Sequence, residues 1–363
     1  MSDIAQKIDL GSLPLPALTA FMQSLGQPAY RAGQVYRWLH QRNCSAFSAM
    51  SDLPAALRTQ LEQTAALNFA KIRKRLVSSM DNTVKYLYIY RDGQCVEGVR
   101  MVYRHGVSLC VSTQAGCRMG CGFCASTLAG LKRNLTPYEM LSQVYAAELD
   151  SRARVDSLVL MGIGEPLDNY DNVLQFLRML SGPEGHNLSL RHVSLSTCGL
   201  VDGIDRLAGE RLQLTLSVSL HAPNDALRQQ LMPVARRWSI DELLAACRRY
   251  IAATGRRISF EYALVDGVND SPDCAEELAG RLRGMLCHVN LIPVNAVPER
   301  GYTGSDRQRV ERFVQVLEQR RIPATVRRRL GGDINAACGQ LRREETTRMD
   351  PDAPDGADRA ANR

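Results

Sequence analysis

Three cysteines close together in the first half of the chain constrain its fold more than any other feature of the sequence. Cys117, Cys121 and Cys124 form a C-x-x-x-C-x-x-C array, which one compact loop can curl so that the thiolates share a centre. Three thiolates can hold three irons of a 4Fe-4S cluster and leave the fourth iron without a protein ligand. S-adenosylmethionine (SAM) can chelate such an iron, and one electron then splits its sulfonium to give a 5′-deoxyadenosyl radical.

Clustered cysteines can also hold a structural zinc ion, with a histidine or a fourth cysteine supplied from elsewhere. Zinc sites more often show two spaced pairs than a single triplet with an aromatic residue, here Phe123, beside its last cysteine. A disulfide framework fits less well, because the chain is large, has 11 cysteines and lacks the apolar core of a signal peptide. The sequence therefore favours the cluster and a reducing compartment, with zinc as the alternative.

Length, composition and charge limit the class of protein. With 363 residues and 45% hydrophobic content, the chain can bury the core of one large domain and a smaller one. No run of about 18 apolar residues occurs, so we expect no membrane segment and a cytoplasmic protein. The net charge of +7 comes from basic clusters over the whole chain. Each cluster alone is better explained as a solvated helix face, but together they make RNA a candidate partner.

The amino-terminal third changes its hydrophobic period near residue 67. Up to about residue 66 the apolar residues have helical spacing, which predicts a small helical domain. A helix from Ala32 to His40 also carries Trp38, which suits either RNA contact or a core position. From about residue 69 to 103 the period is two, and the turn Arg91-Asp-Gly93 predicts a β-hairpin. Glu97 lies on its return strand, where an exposed glutamate is the default interpretation.

From Val107 onward, strands and helices alternate. Capping-box patterns begin helices at Thr136, Ser239 and Ser305. The predicted strands are Val107 to Ser112, Ser157 to Met161, His192 to Ser196, Leu212 to Leu220, Ile258 to Leu264 and Val289 to Pro293. Six such units in about 220 residues indicate an α/β fold with a parallel sheet wrapped by helices, which is a complete or partial barrel.

Barrels of this kind place function at the carboxyl ends of their strands. The motifs found there are Gly162-Ile-Gly-Glu-Pro166, Ser196-Thr-Cys-Gly199, Ser219-Leu-His221 and Pro293-Val-Asn295. Each motif alone is weak, and His221 alone would more often be an ordinary loop histidine. Their shared edge predicts one pocket with the cysteine loop. In that pocket Gly162 and Gly164 let the backbone approach a ligand closely, and Glu165 offers a carboxylate to the ammonium of SAM. The neutral partners for its ribose and carboxylate are Ser196, Ser219, His221 and Asn295.

The carboxyl-terminal stretch contains one more cysteine, Cys338, in a glycine-containing loop that follows a strand near Ala324. A buried spare cysteine is the default interpretation. We predict a helical accessory domain over 1–66, a β-hairpin linker over 67–103, a catalytic domain over 104–342 and a disordered tail over 343–363, which is rich in charge, Pro, Asp and Ala.

Six motifs, in their order and spacing, resemble the RlmN/Cfr family of radical SAM RNA methyltransferases. They are C-R-M-G-C-G-F-C, G-I-G-E-P-L, S-T-C-G, S-L-H-A-P-N, N-L-I-P-V-N and A-A-C-G-Q-L, and the resemblance runs from about Leu15 to Leu341. It implies a partial (β/α)6 radical SAM barrel, a helical accessory domain that binds RNA, and a 4Fe-4S cluster held by Cys117, Cys121 and Cys124.

The resemblance also implies a chemistry. Family members methylate C2 or C8 of adenine, carbons too weakly nucleophilic for direct displacement. One SAM methylates the cysteine matching Cys338, and the radical from a second SAM abstracts hydrogen from that methyl group. The methylene radical adds to the ring, the residue matching Glu97 accepts the ring proton, and the cysteine matching Cys110 resolves the adduct by forming a disulfide.

The implied SAM-binding residues are Gly164, Glu165, Ser196, Ser219, Leu220, His221 and Asn295. The implied partners are 23S rRNA or tRNA and an electron donor such as flavodoxin, and we expect a monomer. The chain departs from the family pattern at His105-Gly-Val-Ser108, Cys198 and Leu330. These departures leave open which carbon and which RNA are methylated. The alternatives are a radical SAM enzyme acting on a different RNA or a protein, and a zinc-stabilised RNA-binding module.

Overall fold

A computed structural model describes residues 7–294, 301–328, 330–334 and 341. Its amino-terminal part consists of α1 (Leu15–Ser24), α2 (Tyr30–His40) and α3 (Ala55–Thr64). The short strands β1 (Ile8–Asp9) and β2 (Ala65–Ala66) pair in parallel and bring the two ends of this part together. The small helical unit that the spacing of the apolar residues predicted is thus confirmed.

One ten-stranded sheet organises the rest of the described chain, in the order β14-β13-β12-β11-β10-β9-β6-β5-β4-β3. Its antiparallel strands are β3 (Lys71–Val77), β4 (Val84–Ile89) and β5 (Cys95–Tyr103). Its parallel strands are β6 (Gly106–Cys110), β9 (Ser157–Leu160), β10 (Val193–Thr197), β11 (Thr215–Ser219), β12 (Ile258–Leu264), β13 (Cys287–Pro293) and β14 (Ala324–Val326). A second, two-stranded sheet contains β7 (Gln114–Gly116) and β8 (Leu131–Asn134).

Helices connect the parallel strands and cover their apolar side chains. They are α4 (Pro137–Ser151), α5 (Tyr170–Ser181), α6 (Val201–Glu210), α7 (Asp225–Leu231), α8 (Ile240–Thr254), α9 (Pro272–Leu282) and α10 (Arg307–Gln319). Their buried residues form one continuous core with the strands and the amino-terminal helices. This arrangement confirms the predicted α/β class, the partial barrel and the β-hairpin. The domain boundaries stay a prediction, and the tail over 343–363 lies outside the described residues.

Three local features differ from the sequence-based expectations. The stretch with a period of two contains a third strand, β3, which the predicted two-stranded hairpin did not include and which lies at the edge of the sheet with mostly charged exposed residues. The β7–β8 pair was not predicted because each strand is too short to show a period. The capping boxes at Thr136 and Ser239 are confirmed. The cap of α10 is Asp306 and not Ser305, because the Asp306 carboxylate accepts from the Arg309 amide at 2.8 Å.

None of the helices in the described ranges combines the length and the apolar character needed to cross a membrane.

Helix α4 joins the amino-terminal helices to the barrel. The Tyr138 hydroxyl donates to the Cys44 carbonyl at 3.1 Å, and Thr136 Oγ1 donates to Asp9 Oδ2 at 2.7 Å. Nδ1 of the buried His40 lies 3.1 Å from the Tyr145 hydroxyl, and burial lowers the pKa of His40 to about 3. The interface therefore contains a neutral histidine and shared hydrogen bonds, which fix the helical unit against the barrel.

Alanine substitution of Thr136 and Ser239 separates the stabilisation that comes from helix capping from the stabilisation that comes from docking of the amino-terminal helices. We expect Ser239→Ala to lower the free energy of unfolding by about 1 kcal/mol, the usual cost of a lost cap. Thr136→Ala should cost about 1 kcal/mol more, since it also removes the hydrogen bond to Asp9. Denaturant titration measures both values, with Thr136→Ser as the control that keeps the hydroxyl. Equal losses for the two alanine variants would contradict the docking role of Thr136.

Candidate functional site

A cavity of about 650 Å³ opens at the carboxyl ends of the parallel strands, where the barrel architecture places it. It brings together most of the site residues predicted from the sequence. Those lining it are Glu97, Cys110, Cys117, Cys121, Cys124, Gly164, Glu165, Ser196, Ser219 and His221. Leu220 is fully buried in the core beside them. Asn295 and Cys338 lie outside the described residues.

The cysteine loop is held at its base and on its flank. Strands β7 and β8 pair on either side of it, and a Cβ on Gly116 would collide with the Gly130 carbonyl. Within the loop, the Gly122 amide donates to the Leu231 carbonyl at 2.8 Å. The Arg118 guanidinium binds Asp168 through Nε, at 3.0 Å, and through a second short contact. The loop is therefore fixed to the segment that follows β9 and to the last residue of α7.

The three thiols of this loop are suited to a cationic centre. Burial raises the pKa of Cys117 to about 12 and that of Cys121 further, and repulsion between the thiolates adds to both shifts. The buried thiolates of Cys117 and Cys121 thus need positive charge nearby, and bound metal supplies it. No group of three or more His, Cys, Asp or Glu side chains in the described ranges is gathered closely enough for one metal ion. Cys117, Cys121 and Cys124 would hold an iron–sulfur cluster, which three cysteine thiolates can ligate.

The Gly162 to Pro166 loop packs directly against the strand that leads to the cysteines. A Cβ on Gly162 would lie 2.6 Å from the Val111 carbonyl oxygen, and one on Gly164 would lie 2.7 Å from Gln114 Cβ. Gly164 also has a φ of 113°, which L side chains rarely adopt. These two glycines are therefore required by backbone packing, a reason the sequence did not show. Whether they also approach SAM stays a prediction.

Glu165 connects two strand ends. Its carboxylate accepts from the Cys198 amide at 2.7 Å and from the Leu167 amide at 3.0 Å, and its side chain is almost fully buried. Burial raises the pKa of Glu165, and these hydrogen bonds oppose the rise. The carboxylate thus holds the loop after β9 against the loop after β10. Its predicted contact with the ammonium of SAM stays a prediction.

His221 is a neutral donor facing the cavity. Its Nδ1 accepts from the Ala263 amide at 2.9 Å, and its ring packs edge-on against Phe123. Burial, followed by the charge of Arg228, lowers the pKa of His221 to about 3. Since Nδ1 is an acceptor, Nε2 carries the proton and can donate to a ligand. Its role in binding SAM stays a prediction.

Arg228 was missed by the sequence reasoning. It is fully buried, and its guanidinium donates to the Cys198 carbonyl at 2.8 Å and to the Leu220 carbonyl at 3.3 Å. It therefore fixes the ends of β10 and β11 from below the cavity. An arginine in a short helix carries no pattern that marks it as buried, so no sequence signal could have identified this role.

Glu97 and Cys110 share the opposite wall. In the sheet, Leu87 pairs with Glu97 and Val99 pairs with Cys110, which puts all four side chains on one face. Glu97 is 2% exposed and forms an ion pair with Lys85, so the default interpretation of an exposed glutamate is wrong. Burial raises the pKa of Cys110 to about 11, and the nearby Arg327 opposes this rise. Lys85 was missed, although a lysine on an apolar strand face is a usable signal.

Residues before Cys338 contact the turn between β3 and β4, and Leu341 after it contacts the hairpin strands β4 and β5. Gly331 and Gly332 line the cavity, and the Gly331 amide donates to Asp81 Oδ2 at 2.8 Å. The Ser78 hydroxyl donates to Asp333 Oδ1 at 2.7 Å, and the Ser79 amide donates to Oδ2 at 2.9 Å. After Cys338, Leu341 packs against Leu87 and Cys95. We call the Ser78, Ser79, Asp81, Gly331 and Asp333 contacts the clasp.

Comparisons with known proteins agree with this geometry. Residues 8–67 match the ribosomal RNA large subunit methyltransferase N-terminal domain, and residues 111–278 match the radical SAM superfamily. A probable dual-specificity RNA methyltransferase RlmN from Pelotomaculum thermopropionicum is 52% identical over 342 residues, covering 94% of this chain and 93% of the relative. Its namesake from Lachnoclostridium phytofermentans is 49% identical over 346 residues, covering 95% and 97%. The crystal structure of a radical SAM methyltransferase from Sphaerobacter thermophilus superposes with a TM-score of 0.88 at 46% identity, covering 92% and 98%.

Two cysteine variants test the assignment of the cluster ligands. We expect Cys121→Ala to lose iron and sulfide after anaerobic reconstitution, because it removes one of the three thiolates. Cys198→Ala removes a buried thiol that lines the same cavity but lies outside the triplet, so it should retain both. Iron and sulfide analysis of the two proteins gives the answer. The assignment fails if Cys121→Ala keeps its metal and Cys198→Ala loses it.

Proposed function

Because the chain belongs to the RlmN family of radical SAM RNA methyltransferases, we propose that it methylates an adenine ring carbon, C2 or C8, in 23S rRNA, tRNA or both. The observation that carries the proposal is the single cavity in which Cys117, Cys121 and Cys124 face the wall that contains Glu97 and Cys110. A cluster, a proton acceptor and a resolving thiol then act on one bound nucleotide.

The cysteine triplet would hold one 4Fe-4S cluster, and two SAM molecules would be used for each methylation. When bound, the cluster would supply one-electron chemistry, giving one electron for the cleavage of the second SAM and accepting one once the methyl carbon is bonded to the ring. For SAM binding, Ser196, Ser219 and Nε2 of His221 offer neutral hydrogen bonds within the cavity. Gly164, Glu165, Leu220 and Asn295 complete the proposed SAM-binding set.

Cys338 would carry the methyl carbon to the ring. Its neighbours support this role, because Gly332 lines the cavity six residues before it and Leu341 packs beside β4 and β5 three residues after it. In this proposal its thiol acts on the same bound nucleotide as Glu97 and Cys110. The first SAM methylates this sulfur, and the radical made from the second SAM removes one hydrogen from the new methyl group.

Glu97 and Cys110 would complete the reaction. Once the methylene carbon is bonded to the ring, the ring carbon loses its proton to the Glu97 carboxylate. The Cys110 sulfur then bonds to the Cys338 sulfur, and the bond between that sulfur and the methylene carbon breaks. The carbon keeps the electron pair of the broken bond. The Cys110 thiol releases its proton as the disulfide forms, and the carbon takes up one proton, which yields the methyl group. An external reductant, such as flavodoxin, reduces the disulfide and the cluster.

The amino-terminal helices would contact the RNA. Trp38 is only partly buried, its Nε1 donates to Asp52 Oδ1 at 2.5 Å, and the Arg42 guanidinium lies 4.2 Å from its ring centroid. An aromatic face next to exposed arginines can stack on bases and bind phosphates. We expect a monomer that acts in the cytoplasm, where both RNA classes occur.

Nucleoside mass spectrometry identifies the product and the RNA. Ribosomal and transfer RNA from cells with the gene should contain a methyladenosine that is absent from cells without it. Restoring the gene should restore the nucleoside, while restoring the Cys338→Ala variant should not. Identical nucleosides with and without the gene would reject the proposal.

Variants that lack one of the two proposed catalytic thiols should be blocked at different steps of the reaction. Cys338→Ala has no sulfur to methylate, so it should form neither methyladenosine nor a covalent complex. Cys110→Ala can form the adduct but cannot resolve it, so a covalent complex of protein and RNA should accumulate. Denaturing gels followed by nuclease digestion and mass spectrometry distinguish these outcomes. Covalent complex in the Cys338→Ala reaction would contradict the scheme.

The clasp should influence turnover without influencing the cluster. Asp333→Ala removes the contacts to Ser78 and Ser79, and we expect kcat to fall about tenfold to a hundredfold because Gly331 and Gly332, which line the cavity, are less well held. Iron content should stay unchanged. Asp171→Ala, which removes an exposed surface ion pair, is the matched control. Wild-type kcat for Asp333→Ala would show that turnover does not depend on the clasp.

A further inference from the structure

A buried lysine lies beside the proposed proton acceptor. Lys85 Nζ is 3.1 Å from Glu97 Oε2, and the two side chains are 1% and 2% exposed. On the paired strands β4 and β5, Leu87 is directly opposite Glu97, so Lys85 is the diagonal neighbour on the same face. Cys110 belongs to that face as well, through its pairing with Val99. The lysine, the glutamate and the thiol therefore share one wall of the cavity.

The strand neighbours of the pair are apolar. Lys85 has Leu76 opposite it on β3 and Val99 opposite it on β5. Leu87, two residues along the strand, belongs to a cluster with Cys95 and Leu341. An ionised carboxylate in such surroundings is strongly disfavoured unless a cation is close to it. The ammonium of Lys85 is such a cation, because it lies 3.1 Å from Glu97 Oε2 inside this wall.

We propose that Lys85 is the positioning residue of the proton acceptor Glu97. Its ammonium holds the carboxylate in one orientation against the cavity. The inference rests on the proposed function, since it gives Lys85 a task only if Glu97 removes the ring proton. Lys85 acts through Glu97 and does not touch the substrate.

The ion pair of Lys85 and Glu97 must form again after each proton transfer. In the step concerned, the ring carbon–hydrogen bond breaks, the proton bonds to a carboxylate oxygen of Glu97, and the electron pair stays in the ring. Glu97 becomes neutral while Lys85 keeps its charge. Loss of the proton from Glu97 to solvent restores the ion pair before the next turnover.

Lys85→Met is the direct test, made with the full chain, its reconstituted cluster, SAM and protein-free rRNA and tRNA from cells lacking the gene. We expect normal iron content, normal methylation of Cys338 and normal release of 5′-deoxyadenosine in the first turnover. Formation of methyladenosine should fall about a hundredfold, the range of a lost general base, and covalent complex should accumulate. Lys71→Met, the same change at an exposed position of β3, should behave as wild type.

A double-mutant cycle separates a role through Glu97 from a merely structural one. Adding Lys85→Met to Glu97→Gln should cause no further loss of turnover, since there is no carboxylate left to position. The inference is overturned if Lys85→Met retains turnover within threefold of wild type. It is equally overturned if Lys85→Met lowers turnover by the same factor in the wild-type protein and in the Glu97→Gln variant.

Lys85→Arg keeps a cation at this position and decides the matter if Lys85→Met does not fold. With full iron content, it should turn over with an unchanged KM for RNA and a larger steady-state fraction of covalent complex. Loss of turnover without covalent complex would reject the inference. Glu97→Gln distinguishes failure of the proposed role of Glu97 from failure of the proposed role of Lys85. If that variant is active, the proposed function of Glu97 fails, whereas inactive Glu97→Gln with active Lys85→Met rejects only the role of Lys85.

Discussion

The antiparallel pairing of β5 with β6 is the contact on which the arrangement of the site depends. Strand β6 also pairs in parallel with β9, so this one strand joins the hairpin to the barrel. The pairing of Val99 with Cys110 sets the register, and a slip of one residue would turn Glu97 away from the cavity. Because the sheet is continuous, residues far apart in the sequence form a wall opposite the cysteine loop.

Buried polar groups keep the remaining sides of the cavity in place. Glu165 and Arg228 satisfy backbone amides and carbonyls at the ends of β9, β10 and β11, where parallel strands leave such groups unpaired. His221 is held through Nδ1, which leaves Nε2 as a donor. Each of these side chains is costly to bury unless its partners are present. The loops that would bind SAM are therefore held in place by hydrogen bonds within the protein.

Much of this arrangement could be predicted from the sequence. The alternation of apolar strands with capped helices predicted the barrel, because buried parallel strands need continuous apolar runs and α4 and α8 begin with clear capping boxes. The cysteine spacing and the strand-end motifs predicted one pocket, since strand ends meet at one edge. Burial of Glu97 could not be derived from its own strand, because it depends on pairing with Lys85 across the hairpin. The clasp was equally hidden, since it joins residues about 250 positions apart.

The central claim is that the methyl group reaches the RNA through a radical on a methylated cysteine and not by direct displacement from SAM. Reaction with SAM whose methyl group is fully deuterated tests this claim most directly. The account predicts that one deuterium appears in 5′-deoxyadenosine and that the methyl group of the product has lost one deuterium. A product methyl group that keeps all of its deuterium, with none in 5′-deoxyadenosine, would contradict it.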